Sequence, residues 1–394
     1  MAFQDASNMT IAWGDEGTYG TLSGGQYTSL PITGESIEPT VNTERSGQIV
    51  SGRQNKAILE LGRQVVGAFQ SEFSYDAMTT FFLPRGMQST VETPAVFING
   101  QLISVNFTTK TYTKDASAWS QTPTPGGIYH FSGFTKAGNN GFKRVVSATS
   151  NTIVVDDTAG VMTETDTSAT GTIRGANLFT GTNTAQDLSF SIEKTYLDPA
   201  TDVYIHHAGC VFDSLSLNFA ANSIATAEFE IRGATTTEDG ATDSSPATVA
   251  TADSEIITPQ RVKLYLNGTN VENAEVESFT IAMNHNLRER FRLGSVNLVD
   301  YGFGTMDVSG TFRAYFSSNT TLASFLAFTT QELTLVVEDS TGQAVVFNFP
   351  AAKFTKHAQL SEGRSTDVFA DIAFECGQSA QSQQVAVSYM PSTP

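Results

Sequence analysis

The sequence contains little cysteine, few basic residues and no long apolar run. Its 394 residues include two cysteines, Cys210 and Cys376, which are too few for a disulfide framework. No segment approaches the roughly 18 consecutive apolar residues of a membrane-spanning helix. Residues 1–20 lack the basic and apolar regions of a signal peptide. We therefore expect synthesis in a reducing cytoplasm and no membrane partner.

Basic residues are outnumbered by acidic ones. Forty aspartates and glutamates against 22 lysines and arginines give a formal charge of −18. A protein that grips nucleic acid needs cations to neutralise phosphates, and the chain has no dense basic run. The charge argues against tight DNA binding but allows DNA to slide past without adhering.

The composition is that of a folded, mainly β protein. Hydrophobic residues make up 40% of the chain and charged residues 16%, whereas disordered chains combine low hydrophobicity with dense charge. Apolar and polar residues alternate in many segments, for example at Leu215, Leu217 and Phe219, which is the period of a half-buried strand. The length exceeds what one core usually serves, so two or three compact units are expected.

An internal repeat organises the chain. Residues 65–73 read VVGAFQSEF and residues 308–316 read VSGTFRAYF, at a spacing of 243 (308 minus 65). Upstream, Glu35-Ser36-Ile37 matches Glu277-Ser278-Phe279 at a spacing of 242 (277 minus 35). One glycine and two phenylalanines mark the repeat: Gly67, Phe69 and Phe73 in the first copy, and Gly310, Phe312 and Phe316 in the second.

A short helical signal follows the repeated strand in each copy. Apolar residues fall at i, i+3 and i+4, so each helix is expected to present one apolar face to a sheet. These residues are Met78, Phe81 and Phe82 in the first copy, and Leu322, Phe325 and Leu326 in the second. Two tandem copies of one β-sandwich or barrel, each with one short helix, are the simplest interpretation.

The first copy carries an insertion that the second lacks. Residues 126–160 contain their own strand and turn patterns, so the insertion is expected to fold as a small β domain on a surface. The predicted organisation is a first copy at 1–98 and 181–257, an inserted β domain at 99–180, a second copy at 258–380, and a C-terminal arm at 381–394.

The sequence offers no catalytic or metal-binding pattern. His206 and His207 are adjacent, and adjacent strand residues point to opposite faces, so they cannot chelate one ion from a regular strand. Neither cysteine has a Cys-x-x-Cys partner, and no nucleophile-elbow motif is present. We expect no enzymatic activity, no metal and no cofactor.

Cations cluster in one loop of each copy, although the chain is acidic. A solvated hairpin is one interpretation. We favour contact between subunits, in which these cations meet acidic groups of the next molecule. The residues are Arg45, Arg53, Lys56 and Arg63 in the first copy, and Arg288, Arg290 and Arg292 in the second.

Several motifs occur in a recognisable order along the chain: IAWGDEGTYGT (11–21), LPITGESIEPTVNTERSG (30–47), VVGAFQSEFSYD (65–76) and the run from FSIEKTYLDP to FEIRGA (190–234). Together they resemble the tail tube proteins of long-tailed bacteriophages (siphophages), in the class with a duplicated tube domain. The resemblance spans nearly the whole chain, except for residues 381–394. GVMTETDTSATGTIRGANL (160–178) resembles the extra domain that such proteins often contain.

The resemblance implies a structural virion protein that forms stacked rings and conducts DNA during ejection. Three chains would supply six tube domains around an acidic lumen, and strands of neighbouring chains would pair. A tape-measure protein would set the tube length, and a tail terminator would close it. Two alternatives are a phage capsid decoration or head protein, and a carbohydrate-binding adhesin module. Clustered exposed Trp or Tyr would favour the adhesin, but the two tryptophans, Trp13 and Trp119, lie far apart in the sequence.

Overall fold

The fold is mainly β, as the alternating pattern predicts. The computed structural model describes residues 9–23, 27–49, 51, 54–89, 91–92, 95–114, 118–159, 166–178, 188–197, 202–239, 255–267, 269–270, 276–316, 319–361, 367–380 and 383–391. Within these ranges no helix is long and apolar enough to cross a membrane.

The described residues from Met9 to Asp239 contain fifteen strands, a 3₁₀-helical turn (Ala137–Asn139) and one longer helical segment. The strands are β1 (Met9–Asp15), β2 (Thr28–Ser29), β3 (Gly34–Glu35), β4 (Glu38–Arg45), β5 (Ile58–Glu72), β6 (Val96–Asn106), β7 (Thr111–Lys114), β8 (Ile128–Ser132), β9 (Gly141–Ala148), β10 (Thr152–Ala159), β11 (Asp166–Leu178), β12 (Phe190–Tyr196), β13 (Val203–Ala220), β14 (Thr226–Gly233) and β15 (Thr235–Asp239). The helix α1 joins an α-helical turn (Tyr75–Ala77), a π-helical stretch (Met78–Phe82) and a second α-helical turn (Leu83–Gly86).

The described residues after Asp239 contain ten strands, a 3₁₀-helical turn (Pro259–Arg261) and one α-helix. They are β16 (Val262–Leu266), β17 (Thr269–Asn270), β18 (Val276–Asn284), β19 (Arg288–Arg290), β20 (Asp300–Gly302), β21 (Asp307–Tyr315), α2 (Thr320–Leu326), β22 (Gln331–Glu338), β23 (Ala344–Ser361), β24 (Val368–Cys376) and β25 (Ala386–Met390).

The strand pairings of the first half recur in the second. The pairs β1–β12, β12–β13, β13–β14, β14–β5, β4–β5 and β13–β15 correspond to β16–β22, β22–β23, β23–β24, β24–β21, β18–β21 and β23–β25. The register recurs too, because Gly67 lies opposite Ile231 as Gly310 lies opposite Phe374. The chain therefore holds two copies of one fold.

Irregularities in the ladders are duplicated as well. The pairing of β13 with β14 slips between Phe212 and Ser214, and that of β23 with β24 slips between Phe354 and Lys356. Such β-bulges bend a strand. In the first copy, the bulge lies where β13 leaves the sheet that contains β12 and β15 and enters the sheet that contains β14. In the second copy, the bulge lies where β23 leaves the sheet that contains β22 and β25 and enters the sheet that contains β24.

The upstream match at a spacing of 242 is two residues out of register. Glu35 faces Phe69, whereas Phe279 faces Phe312, so Glu35 is the counterpart of Phe279 and not of Glu277. A shift of two residues keeps every side chain on its original face. Alternation in the sequence therefore cannot detect this error.

Aromatic side chains fill the core around α1. Phe81 lies 5.1 Å from Phe190 of one sheet and 5.5 Å from Phe212, ring centre to ring centre, and Phe82 stacks on Phe229 at 4.5 Å. These rings are almost fully buried. The helix thus lies between the two sheets of the first copy and contacts both, whereas its apolar spacing predicts one face against one sheet.

The insertion forms a closed six-stranded antiparallel barrel. Its strands pair in the circular order β6, β7, β10, β9, β8, β11 and back to β6. Tyr112, Phe131 and Ile173 are fully buried in its interior. The barrel starts at Val96, so β6 crosses the predicted boundary between residues 98 and 99. The four-part division of the chain remains a proposal.

The barrel packs on the second copy through the last strand of the chain. β25 pairs with β11 of the barrel on one side and with β23 on the other. The Arg174 guanidinium donates hydrogen bonds to the carbonyl oxygens of Gly342 (3.1 Å) and Pro391 (2.7 Å). The prediction of an arm at 381–394 is therefore wrong for its described part, which is an integral strand.

Candidate assembly surfaces

One sheet runs continuously through both copies. Its strand order is β4, β5, β14, β13, β18, β21, β24 and β23. The link between the copies, which we name the copy junction, is the pairing of β13 with β18, and Ser216 lies opposite Ala282 within it. Strand pairing thus joins the two copies without a break in the sheet.

Both ends of this sheet are open in the described part of the chain. β4 pairs only with β5, and residues 356–361 of β23 pair only with β24. An unpaired strand edge presents free N–H and C=O groups to a further chain. The two open edges are therefore candidate sites of association.

An ion pair covers part of the β4 edge. The Ile37 N–H donates to Glu35 Oε2 at 2.7 Å, and Lys194 Nζ donates to the Ile37 carbonyl at 2.6 Å. Lys194 Nζ also contacts Glu35 Oε2 at 2.6 Å. This edge ion pair satisfies backbone groups that a neighbouring strand would otherwise bond.

The solvent-facing side of the sheet is polar and acidic. One row of facing residues runs from β3 across β5, β14, β13, β18, β21 and β24 to β23: Gly34, Gln70, Glu228, Ser216, Ala282, Ser309, Glu375 and Lys353. All of them are exposed or half-buried. Glu230 and Asp307 add further exposed carboxylates on the same face. The opposite side of the sheet is the apolar core.

The loop of the second copy between β18 and β21 packs against the first copy. The Tyr301 hydroxyl donates to the Gly233 carbonyl at 3.2 Å, and His285 Nε2 lies 2.6 Å from the Gly86 carbonyl at the end of α1. Leu298 and Tyr301 bury against Val211 of the first copy. This loop, residues 285–305, therefore binds the neighbouring copy within the same chain.

The counterpart of this loop in the first copy is the long hairpin of β4 and β5. Five of its described apolar side chains are more than two-fifths exposed: Val41, Ile49, Ile58, Leu59 and Leu61. The loop 285–305 contacts the hairpin around Arg63, whose N–H donates to the Val296 carbonyl at 2.8 Å and which also forms a β-bridge with Asn297. The rest of the hairpin is a candidate contact surface for another molecule.

The predicted cations of the hairpin are exposed. Arg63 forms an ion pair with Glu60, and Lys56 donates a hydrogen bond to Gln48. Arg45 is also exposed, whereas Arg53 lies outside the described residues. A contact of these cations with another subunit stays a prediction.

The predicted cations of the second copy are exposed as well. Arg288 donates to the Phe303 carbonyl at 3.0 Å, and Arg290 contacts Asp300 at 3.1 Å, so both hold the loop 285–305 in shape. Arg292 lies beyond β19 at the tip of this loop. The structure brings the two cation-bearing loops together at Arg63 and Val296, a proximity that the sequence does not predict.

The fold markers occupy equivalent backbone positions, but their burial differs. Phe69 and Phe312 are both buried opposite β14 or β24. The Phe73 N–H donates to the Ala225 carbonyl, and the Phe316 N–H donates to that of Val368, each at 2.8 Å. Nevertheless Phe73 is fully buried and Phe316 is 36% exposed.

An apolar patch surrounds Phe316 in the second copy. α2 has no fully buried residue, but Leu322 and Phe325 of its predicted apolar face are half-buried and Phe325 packs against the core. The prediction that each helix presents an apolar face to a sheet therefore holds for both helices, and this face is less completely covered in α2 than in α1. Leu326 is 74% exposed, and Val368 is 41% exposed although its counterpart Ala225 is 2% exposed. We name Phe316, Leu326, Phe328 and Val368 the α2 patch. Equal apolar spacing in the two helices concealed this difference.

Histidines and cysteines lie in structural positions. His206 Nε2 contacts Glu193 Oε2 at 2.8 Å, whereas His207 contacts the Thr236 hydroxyl on the other side of β13. Burial lowers the pKa of His207 to about 4 and raises the pKa of the Cys376 thiol to about 12. Among the described residues no cluster of three or more potential metal ligands occurs.

Fold and surfaces together define a class of protein: a duplicated, mainly β protein with two open sheet edges and a polar sheet face. Residues 6–376 match the protein family described as phage tail tube protein. Because this match covers nearly the whole chain, the chain belongs to the phage tail tube protein family, whose members are structural proteins of the virion tail. No curated protein matches the chain.

Proposed function

We propose that this chain is the ring-forming subunit of a siphophage tail tube, through which DNA leaves the virion. The observation that carries the proposal is the sheet that crosses both copies and remains open at β4 and at β23. A sheet that is open at both ends loses its edges when further chains close it into a barrel.

Three chains per ring follow from the duplication. Each chain supplies two tube domains, so three chains give six domains around one axis. Rings stack head-to-tail, a type of contact that propagates as a filament. A tape-measure protein sets the length of the filament, and a tail terminator closes it. The subunit is made in the cytoplasm of the bacterial host.

The polar face of the sheet lines the bore in this proposal. Glu228, Glu230 and Glu375 are exposed on it, and three chains of charge −18 each make the ring strongly acidic. Carboxylates within a screening length of roughly 8 Å repel phosphates. DNA therefore slides through the bore without adhering, and the chain acts structurally and not as an enzyme.

The inserted barrel lies on the outside of the tube, because a barrel in the bore would block DNA. Its strand β11 pairs with β25, which in turn pairs with β23, and this connection holds the barrel beside the second copy. There it adds bulk to the outer wall and leaves the polar sheet face uncovered.

Imaging of the purified, overexpressed chain by negative-stain electron microscopy tests the proposal. We expect hollow tubes of uniform diameter with a periodic ring repeat. Particles that bind capsids as discrete trimers, or a monomer that binds glycans and never assembles, would contradict it.

A further inference from the structure

We propose that neighbouring chains of the ring join by repeating the copy junction. The open edge of β23 in one chain pairs with the β4 edge of the next, and the next chain covers the α2 patch. This inference rests on the proposed function and specifies its partner, a second copy of this chain, at the level of individual residue pairs.

The register of the copy junction supplies the register between chains. Inside the chain Ser216 lies opposite Ala282. β13 and β18 each pair with one further strand. There Ser216 of β13 faces Glu228 of β14, and Ala282 of β18 faces Ser309 of β21. These outer partners identify the equivalent positions in the open edges.

In the open edges, Ala358 of β23 and Glu38 of β4 face the residues that correspond to these outer partners. Ala358 faces Asp371 in β24, at the position that corresponds to Glu228 in β14. Glu38 faces Val66 in β5, at the position that corresponds to Ser309 in β21. Ala358 of one chain is therefore expected opposite Glu38 of the next. Two residues further along, Lys356 is expected opposite Thr40.

Burial at the copy junction indicates what covers the α2 patch. Phe73 of the first copy is fully buried and lies 6.4 Å from Phe347 of the second. Phe347 faces Leu335 as Ile205 faces Lys194, so Ile205 is the counterpart of Phe347. The contact between Phe73 and Phe347 is therefore expected to recur between chains, with Phe316 of one chain against the half-buried Ile205 of the next.

The edge ion pair distinguishes the open edge from the copy junction. Glu35 and Lys194 occupy the positions that Phe279 and Leu335 hold in the second copy. Pairing with Gln359 of another chain displaces both side chains from the backbone of Ile37. Pro39 on the same edge has no N–H, which leaves one hydrogen bond of the copy junction without a counterpart.

A disulfide between Glu38→Cys and Ala358→Cys tests this register. In the copy junction the Ala221 N–H donates to the Glu277 carbonyl, so odd-numbered residues of β18 bond β13 and the Ser216–Ala282 pair is non-hydrogen-bonded. Such pairs have Cα atoms about 4.5 Å apart, within the range of a disulfide. Oxidation of tubes of the double variant is expected to give linked chains up to covalent trimers.

The matched control is a variant with Ser36→Cys and Ala358→Cys, which shifts the pair by two residues. It is expected to cross-link at least tenfold less, as are the two single variants. Cys210 and Cys376 are buried, so the parent chain is expected to give no linked species. Efficient linkage in the shifted variant, or linkage into species larger than trimers, would overturn the proposed register or ring size.

Chemical cross-linking of wild-type tubes provides a second test of the register that needs no substitution. Lys356 and Glu38 are exposed in the single chain and become diagonal neighbours across the proposed pairing. Carbodiimide coupling is expected to link them between chains, as detected by mass spectrometry of the digested tubes. Tubes that form but show neither linkage would overturn this chain-to-chain pairing and leave the proposed function standing, whereas failure of the parent chain to form tubes counts against the function itself.

Discussion

At the residue scale, glycine is required where strand backbones lie closest. A Cβ atom added to Gly67 would lie closer than 3.0 Å to the backbone of Ile37, and one added to Gly310 would lie closer than 3.0 Å to the Thr280 carbonyl and the Phe374 ring. The two glycines are thus conserved between the copies for a steric reason.

Replacing Gly310 with Val is expected to lower the free energy of unfolding by about 1–3 kcal/mol, since the side chain must push a neighbouring strand or ring aside. The control is Gly47→Ala, because no atom lies within 4 Å of a Cβ at that position. Denaturant unfolding of both variants measures the difference. Equal midpoints for the two would contradict the steric account.

The carboxylate of Glu228 lies in the middle of the polar sheet face. Glu228→Lys is expected to leave tube formation intact and to make tubes retain DNA at low salt, because repulsion is replaced by attraction. Glu238→Lys, on the exposed β15, is the charge-matched control. Retention is measured by co-sedimentation of tubes with labelled DNA. Equal retention by the two variants would show that this face is not the bore.

Single-residue burial was only partly predictable from the sequence. Alternation correctly places Phe69 and Phe312 in the core. It cannot show that Phe316 is exposed while Phe73 is buried, because Phe73 is covered by the second copy and Phe316 has no third copy beside it. The edge ion pair was missed for a similar reason: Glu35 and Lys194 are 159 residues apart, and no local pattern joins them.

At the scale of elements, β25 connects two parts of the molecule, the inserted barrel and the second copy. It closes the second copy against β23 and anchors the barrel through β11. All five of its residues are buried. Its short AVSYM pattern stands in a polar tail, which explains why the sequence suggested an arm instead of a strand.

Deleting residues 381–394 is expected to detach the barrel from the second copy, because β11 and β23 both lose their pairing to β25. Limited proteolysis should then cut near the barrel at least tenfold faster. Deleting only residues 392–394, beyond β25, should leave the cleavage rate unchanged. Resistance of the longer deletion to proteolysis would mean that the barrel is held by other contacts.

The elements themselves followed well from the sequence. The repeat predicted two copies of one β fold, each with a short helix after the repeated strand, and the turn-rich insertion predicted a small β domain. The closure of six strands into a barrel depends on long-range pairing, which local periodicity does not encode. The two-residue register error at Glu35 arose because a period of two is unchanged by such a shift.

At the scale of the whole molecule, the duplication gives one chain an internal interface of the kind that two chains would otherwise share. The copy junction and the loop 285–305 are already satisfied inside the chain. The β23 edge, the α2 patch and the hairpin of β4 and β5 are exposed. The two strands of the copy junction, β13 and β18, each have an exposed counterpart, which is the β23 edge for β13 and the β4 edge for β18. This is the arrangement expected of a repeating ring.

The most direct test of this account is the cross-section of the assembled tube by cryo-electron microscopy. We predict three chains per ring, six similar lobes around a hollow axis, a continuous strand layer lining the bore with Glu228 facing it, and barrels on the outside. A bore lined by the barrels, or rings in which β4 and β23 do not meet, would contradict the account.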